Sequence, residues 1–225
     1  ATGADVREVA RAIGSDSRIG SKFLDSGPGF GGSCFKKDIL NLVYLAEYFG
    51  LNEVANFWNG VVILNNWHQH RISQLITKNL FGSLSSKKIA ILGFAFKANT
   101  NDTRESAAIQ ICKDLIDEGA ILFIHDPKVK EKQITRELNL AFSKDHPSII
   151  NTGSWEVVNN LSEALEGADA AVILTEWKEY ADIDWESIAP KMRKPSWIFD
   201  SRSILDFKRA KKNGLNIWRI GDGSF

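Results

Sequence analysis

The sequence predicts an α/β protein in which a long central helix is followed by a doubly wound, mostly parallel (Rossmann-like) sheet. From residue 85 onward, short strands that are apolar throughout alternate with helical segments, which is typical of a parallel sheet covered on both faces. Before residue 85, apolar residues recur at helical spacing. We therefore expect two domains, a central helical region over 1–84 and a sheet domain over 85–225.

The helical region has two predicted elements. Residues 1–20 read as the end of a helix that is already under way. From Asp38 to about Gly82, the apolar spacing predicts either one helix of about forty residues or two helices that break near Gly50. A helix of about forty residues far exceeds the globular average of about 11 to 12 and usually joins domains or subunits. This segment therefore favours self-association.

The alternation of the sheet domain predicts its elements in order. Strands are expected at 88–96, 120–126, 169–177, 196–203 and 215–221, and helices at 104–119, 127–138, 155–168, 184–192 and 206–214. Ligands of such sheets bind beyond the carboxyl ends of the strands. We therefore expect functional residues in the segments that follow strands, which read "AFKANTNDTRES", "HDP", "TEW" and "DSRS".

Composition excludes several classes of partner. The chain has 28 Lys and Arg against 28 Asp and Glu, so it lacks the overall basic field that attracts nucleic acid or anionic lipid. Its longest apolar runs fall short of the roughly 20 residues that a membrane span needs. Two cysteines make a poor disulfide framework, and with four scattered histidines they form no metal cluster. We expect a cytosolic protein with no metal, nucleic acid or membrane partner.

One cysteine lies in the most flexible stretch, "GPGFGGSCFKKD" at 27–38. Ser33 is expected to cap the following helix, with Cys34 in its first turn, where the helix N-terminus and the two lysines that follow favour a thiolate. Asp38 lies four residues later on the same helical face and is a candidate base. Spacing alone leaves the alternative open that Cys34 is inert and small, and Cys112 is expected to be an ordinary core residue.

The motifs "DSRIGSKFL", "GPGFGGSCFKKDILNLVYLAE", "KIAILGFAFK", "DTRES" and "FDSR" resemble, in this order and spacing, the UDP-glucose 6-dehydrogenase family of animals and plants. The resemblance covers essentially the whole chain. It implies oxidation of the C6 hydroxyl of UDP-glucose to a carboxylate with two NAD molecules in succession. Cys34 would then form a thiohemiacetal and a thioester in turn, and Asp38 would help to activate water.

The resemblance also implies the binding residues, most of them in the glycine-rich segment and after strands. Those implied for UDP-glucose are Arg18, Asp25, Ser26, Gly27, Pro28, Gly29, Phe30, Gly31, Phe96, Lys97 and Arg202. Those implied for NAD are Cys34, Phe35, Lys36, Lys37 and Arg104. Arg18 would serve the substrate of a neighbouring subunit, so a homo-oligomer is expected, and the domain 85–225 would bind the UDP sugar.

Several departures from the family pattern are visible. Ala98, Asn99 and Asn101 replace Lys, Asp and Gly, and Ser201 replaces a glycine of "FDGR". After the first predicted strand, Gly93 stands in "GFAFK" without the other two glycines of a "GxGxxG" dinucleotide fingerprint, so we expect the chain to be the C-terminal part of the enzyme and inactive alone. Two alternatives remain open: a nucleotide-sugar-binding and oligomerisation module without activity, and a dehydrogenase for GDP-mannose or UDP-N-acetylmannosamine.

Overall fold

The computed structural model describes residues 2–145 and 153–223. The helices are α1 (Val6–Gly14), α2 (Phe35–Tyr48), α3 (Asn52–Asn79), α4 (Ala107–Asp117), α5 (Glu131–Asp145), α6 (Leu161–Leu165), α7 (Lys178–Ala181), α8 (Trp185–Ile188) and α9 (Phe207–Lys212), with a 3₁₀ turn at Ala189–Lys191. The strands are β1 (Lys88–Leu92), β2 (Ile121–His125), β3 (Ser154–Val157), β4 (Ala170–Ile173), β5 (Trp197–Asp200) and β6 (Asn216–Arg219).

The six described strands form one parallel sheet in the order β3-β2-β1-β4-β5-β6. This is the doubly wound order, so the predicted fold class is confirmed. The strand register pairs Leu92 with both His125 and Ile173, and Ile173 with Asp200. The carboxyl ends of β2, β1, β4 and β5 therefore lie side by side, and the segments that follow them share one edge of the sheet.

The central helical segment is two helices. The 28-residue helix α3 is separated from α2 by a turn in which Gly50 adopts a φ of +71°. A left-handed residue of this kind ends a helix, and glycine adopts it without a steric penalty. Of the two alternatives, the break near Gly50 is the observed one.

Helix α1 has its own beginning, so the interpretation of residues 1–20 as the end of a helix was wrong. Asp5 is the N-cap, because its carboxylate accepts the backbone N–H of Arg7 at 2.8 Å. The backbone N–H of Val6 also donates to the carbonyl oxygen of Gly221 at 2.7 Å. This start of α1 is thereby attached to the chain that follows β6.

The predicted helix over 155–168 was half wrong. Its first residues form the edge strand β3, where Trp155 pairs with Leu122 of β2, and only the short α6 is helical. "SWEVV" is rich in aromatic and β-branched residues, which pack well on a pleated surface. Asn160 then caps α6 by accepting the backbone N–H of Ser162 at 2.8 Å.

Other boundaries differ from the prediction for local reasons. The predicted strand 88–96 ends at Leu92 because Gly93 turns the chain with a φ of +97°. Helix α4 begins at Ala107, after its N-cap Ser106, whereas the predicted helix began at residue 104. Glu105 has a φ of +53°, so no helix can run through it.

The core joins the two regions. Ile72 and Ile76 of α3 and its C-cap residue Leu80 are buried in the same apolar cluster as the strand residues of β1. In the described part of the chain, no helix is both long enough and apolar enough to cross a bilayer.

Candidate functional site

The glycine-rich segment is held on one side by α3. The side-chain oxygen of Asn65 accepts the backbone N–H of Phe30 at 2.8 Å, and its amide nitrogen donates to the Phe30 carbonyl at 3.2 Å. Nε2 of His68 lies 3.0 Å from the carbonyl oxygen of Gly27. Gly29 has a φ of +122°, and a Cβ there would lie 2.8 Å from the Asn65 oxygen. Only glycine fits at that position.

The opposite side of the segment meets the loop that follows β1. The backbone N–H of Gly32 donates to the carbonyl oxygen of Arg104 at 2.9 Å. A Cβ on Gly31 would overlap the carbonyl oxygen of Glu105, and a Cβ on Gly32 would lie 3.0 Å from the Phe96 ring. Bare backbone is therefore required here for close packing of the loops. This is a structural reason for these glycines that is separate from the predicted approach of a sugar.

Cys34 lies at the end of this segment and is exposed. It is itself the N-cap residue of α2 and makes no side-chain cap bond, so the expectation that Ser33 caps the helix was wrong. The hydroxyl of Ser33 instead lies 3.6 Å from the Cys34 sulfur. Asp38 donates its backbone N–H to the Cys34 carbonyl at 2.8 Å, and its side chain is exposed, with the Lys37 ammonium 3.9 Å away.

Three of the residues predicted to border NAD, namely Phe35, Lys36 and Arg104, each contact another side chain of the protein. Phe35 is half exposed, and its ring makes an edge contact with Phe30 at 4.7 Å between centroids. Lys36 forms an ion pair with Glu105 at 2.7 Å. Arg104 forms an ion pair with Asp102 at 2.7 Å; hydrogen bonding to Asp102 raises the pKa of Arg104, with a smaller contribution from Cys34.

Arg202 is the most buried cation of the predicted set. Its Nε donates to the carbonyl oxygen of Leu174 at 2.8 Å and its Nη2 to that of Phe96 at 3.0 Å. A Cβ on Gly27 would lie 3.1 Å from its Nη1, so the guanidinium faces the glycine-rich segment. Burial lowers the pKa of Arg202, and the negative charge of Glu176 opposes this shift.

Glu176 contacts two of the segments that follow strands. Its Oε1 accepts the backbone N–H of Ala98 at 2.9 Å. Its Oε2 lies 3.2 Å from Arg202 Nε, in an ion pair that does not have hydrogen-bond geometry. The motif "TEW" had been predicted to approach the ligand, but Glu176 was not identified as a site residue.

A cavity of about 300 Å³ opens beside Arg202. Asp25 and Ser26, both predicted substrate residues, line it together with Arg7 and Arg11 of α1. Sequence reasoning missed both arginines, although their spacing of four residues on a helix places them on one face and was a usable signal. Three arginines therefore line this cavity together with two residues that directly precede the glycine-rich segment.

Two predicted substrate residues lie on the surface. Arg18 is 87% exposed at its side chain and pairs with Asp16 at 2.6 Å. Lys97 is exposed, and its ammonium lies 5.4 Å from the centroid of the Phe96 ring. Pro28, in contrast, is buried within the glycine-rich segment.

In the turn that follows β1, the backbone N–H groups are already bound by a side chain of the protein. Oδ2 of Asp126, which follows β2, accepts the backbone N–H groups of Phe94 at 2.7 Å and Ala95 at 3.0 Å, and the Trp177 indole N–H at 3.2 Å. In dinucleotide-binding folds these amides face the pyrophosphate. The residues of this turn therefore do not fit a dinucleotide.

The positions that depart from the family pattern have local roles. Ser201 is buried and donates its hydroxyl to the carbonyl of Ile173 at 2.6 Å. Asn99 has a φ of +64°, and the carbonyl of Asn101 accepts the Gln133 side chain at 3.1 Å. Ala98 contributes the backbone N–H that Glu176 holds.

A larger cavity, of about 540 Å³, lies between α3 and α4. Asp114 on its wall accepts hydrogen bonds from Ser73 and from Gln110, the latter at 2.7 Å, and contacts His70 at 2.8 Å. This carboxylate ties the two helices together. Within residues 2–145 and 153–223, no group of three His, Cys, Asp or Glu side chains is arranged to hold a metal ion.

Two family models match the chain. Residues 1–67 match the central domain of the UDP-glucose/GDP-mannose dehydrogenase family, and residues 90–207 match its UDP binding domain. Among curated proteins, UDP-glucose 6-dehydrogenase of Drosophila melanogaster is 49% identical over 98% of this chain and 46% of its own length. UDP-glucose 6-dehydrogenase 4 of Arabidopsis thaliana is 45% identical over 98% of this chain and 47% of its own length.

Solved structures give the same result for the fold. A UDP-glucose dehydrogenase from Pyrobaculum islandicum superposes with a TM-score of 0.74 at 27% identity, over 98% of this chain and 44% of that one. A UDP-D-ManNAc dehydrogenase from Pyrococcus horikoshii has a TM-score of 0.72 at 26% identity, over 99% and 46%. The chain thus spans about half the length of the curated relatives it matches.

Proposed function

Because this chain belongs to the UDP-glucose/GDP-mannose dehydrogenase family, we propose that it supplies the nucleophile and the sugar-nucleotide-binding residues for NAD-dependent oxidation of UDP-glucose to UDP-glucuronate. One observation carries the proposal. The glycine-rich segment that ends at the exposed Cys34 lies against the guanidinium of Arg202, beside an open cavity. One segment therefore carries the proposed nucleophile at its end and contacts the proposed anion-binding group at Gly27.

The cations at this face suit the diphosphate of a sugar nucleotide. Arg202 presents a planar fork, which matches phosphate oxygens, and Lys97 extends from the loop after β1. The backbone of Gly27 to Gly31, with Asp25 and Ser26, would line the sugar. Arg7 and Arg11 also line the cavity; Arg7 forms an ion pair with Asp5 at 2.8 Å, and Arg11 adds positive charge.

Cys34 would act on the aldehyde formed by the first oxidation. Its thiolate adds to the carbonyl carbon, and the resulting oxyanion takes a proton to give a thiohemiacetal. Loss of a hydride and the hydroxyl proton leaves a thioester. Water then attacks the thioester carbon, the C–S bond breaks, and the acid and free Cys34 are released. We assign Asp38, one helical turn away, to orienting that water.

The second substrate, NAD, accepts the hydride in each oxidation. The residues that would border it are Cys34, Phe35, Lys36 and Lys37 at the start of α2, with Arg104 across from them. These residues fit one edge of the cofactor. The turn after β1 does not fit it, because Asp126 already holds the amides there, so the dinucleotide fold must come from another part of the enzyme.

That filled turn also favours a second candidate function. By itself this chain would bind a sugar nucleotide and associate with other copies without oxidising anything. For the substrate, UDP-glucose is favoured over GDP-mannose or UDP-N-acetylmannosamine. The reason is that the curated relatives at 44–49% identity are named UDP-glucose 6-dehydrogenases.

Self-association is supported by an apolar strip on α2, its C-cap residue and α3. It consists of exposed large side chains, each at least 55% accessible: Tyr44, Tyr48, Phe49, Phe57, Ile63, Leu64 and Trp67. Large apolar side chains that are exposed together mark an interaction site more often than ordinary surface does. We propose that a second copy covers it, that Arg18 reaches the neighbouring site in the oligomer, and that the enzyme works in the cytosol with both cysteines reduced.

The test uses the complete polypeptide that carries this chain. Mixed with UDP-glucose and excess NAD, it should produce two NADH for each UDP-glucuronate. A product of any other oxidation state would contradict the proposal. Calorimetry with UDP on the present chain should show binding under both candidate functions. The oxidation assay separates them, because UDP binding without oxidation by the complete polypeptide supports the binding module.

A further inference from the structure

Glu176 lies between two of the elements that the proposed function assigns to the substrate. Its Oε1 holds the backbone N–H of Ala98, next to Lys97, and its Oε2 lies 3.2 Å from Nε of Arg202. Topology explains how one carboxylate reaches both. Glu176 follows β4, which lies between β1 and β5, and these strands precede Ala98 and Arg202 respectively.

The charge of Glu176 matters more than its hydrogen bonds. Arg202 already donates to the carbonyls of Leu174 and Phe96, but both oxygens are neutral. Among the described residues, Glu176 is the carboxylate that forms an ion pair with Arg202, whose side chain is only 16% exposed. The Glu176 side chain is 35% exposed, so the pair is partly buried, and its removal would leave the charge of the more deeply buried Arg202 uncompensated.

One carboxylate oxygen of Glu176 accepts no hydrogen bond from the residues that the structure describes. Its Oε2 is buried and has no hydrogen-bond partner in the described part of the chain. A carboxylate kept only for stability would usually satisfy both oxygens, since buried polar atoms are rarely left unpaired. The arrangement instead keeps Arg202 Nη1 directed at Gly27 and the cavity.

We infer that Glu176 is a positioning residue for the sugar-nucleotide diphosphate, fixing the Arg202 fork and the Lys97–Ala98 backbone in one preformed anion site. The inference rests on the proposed function. Glu176 does not touch the diphosphate; it acts through Arg202. Fixing the Arg202 guanidinium in advance removes the cost of ordering that side chain when the ligand binds.

The experiment measures the dissociation constant of UDP by titration calorimetry with the present chain. Glu176→Gln should weaken binding by about tenfold or more, because it removes the negative charge that pairs with the largely buried Arg202. Glu186→Gln, an exposed glutamate of α8, is the matched control and should leave the constant unchanged. Equal affinity of Glu176→Gln and the unmodified chain would overturn the inference.

A double-mutant cycle separates positioning from general structure. In an Arg202→Ala background, Glu176→Gln should change UDP affinity by less than about twofold, because the residue through which it acts is gone. A further tenfold loss in that background would overturn the inference. If Glu176→Gln fails to fold, Glu176→Asp takes its place. This variant keeps the charge but is one methylene shorter. Its UDP affinity should therefore be lower than that of the unmodified chain by less than about tenfold, and an unchanged affinity would overturn the inference.

The same titration distinguishes the two proposals. If the unmodified chain does not bind UDP, the proposed function fails, and the role of Glu176 fails with it. If the unmodified chain binds UDP and the Glu176 variants bind equally well, only the role of Glu176 fails.

Discussion

The backbone N–H of Gly32 donates to the carbonyl oxygen of Arg104 at 2.9 Å. This single bond connects the glycine-rich segment before α2 with the loop that leaves the sheet. It brings the predicted nucleophile, two residues after Gly32, next to the predicted NAD-contacting arginine. The site therefore depends on packing between the helical region and the sheet domain, and substitutions at this contact should affect binding and stability together.

Gly31→Ala should disrupt this contact. The added methyl group would overlap the Glu105 carbonyl, which is backbone and cannot rotate away. We expect UDP binding by calorimetry to weaken by at least about tenfold and the unfolding free energy to fall by about 1–3 kcal/mol. Gly60→Ala is the control, because a Cβ there meets nothing within 4 Å and the residue lies in α3. It should stabilise the chain by up to about 1 kcal/mol.

Unchanged UDP affinity in Gly31→Ala would show that the loop contact is dispensable.

The two cysteines should differ sharply in reactivity. Cys34 is exposed, whereas Cys112 is fully buried and burial raises the pKa of its thiol. Iodoacetamide should modify Cys34 in the native chain and reach Cys112 only after unfolding, as read by mass spectrometry. In the complete enzyme, Cys34→Ser should stop formation of UDP-glucuronate, while Cys112→Ala should retain it. Undiminished acid production by Cys34→Ser would remove the nucleophile from the proposed mechanism.

The fold was predictable because its signals are local. The strands after residue 85 are short apolar runs with helical segments between them, and five of the six described strands follow from that pattern. The edge strand β3 was missed because its pattern runs into a helix with little punctuation between them. The start of α4 depends on the left-handed conformation of Glu105, which no residue type indicates.

The site was predictable only in part. The resemblance to a family identified Cys34 and Arg202. The residues that hold the surrounding loops in place are far from those loops in the sequence. Asn65 lies 35 residues from Phe30, which it binds, and Glu176 lies 78 residues from Ala98. Contacts over such separations arise from tertiary packing, and no spacing pattern in a single sequence reports them.

Arg11→Ala tests the cavity beside Arg202. Arg11 has no ion-pair partner among the residues that the structure describes, so its charge is available to a ligand in the cavity. Loss of one partly exposed charged contact should weaken UDP or UDP-glucose binding by about three- to tenfold. Arg136→Ala, which removes an exposed arginine of α5, should have no effect. Equal binding by Arg11→Ala would place the ligand away from α1.

Phe57→Asp tests the apolar strip. Phe57 is 67% exposed in the single chain, and a buried carboxylate at an interface between copies would be costly. Sedimentation velocity should show a shift toward the monomer for this variant. Phe81→Asp is the matched control, because Phe81 is also exposed but lies beyond the end of α3 and outside the strip. An unchanged sedimentation coefficient in Phe57→Asp would mean that copies associate through another surface or not at all.

His125 should make the stability of the sheet domain depend on pH. Its imidazole is buried at the end of β2, where Nδ1 lies 3.0 Å from the Tyr180 hydroxyl. Burial lowers the pKa of His125 below the usual 6.5, although Glu179 and Asp126 nearby oppose the shift. A lowered pKa means that the unfolded chain binds the proton more tightly. The contribution of neutral His125 to folding stability is therefore complete above pH 6.5 and is lost as the pH falls below it.

Thermal unfolding between pH 7.5 and 5 should show Tm falling with pH, and His125→Gln should flatten that dependence even if it lowers Tm overall. A variant with the same pH dependence as the unmodified chain would assign the titration to another group.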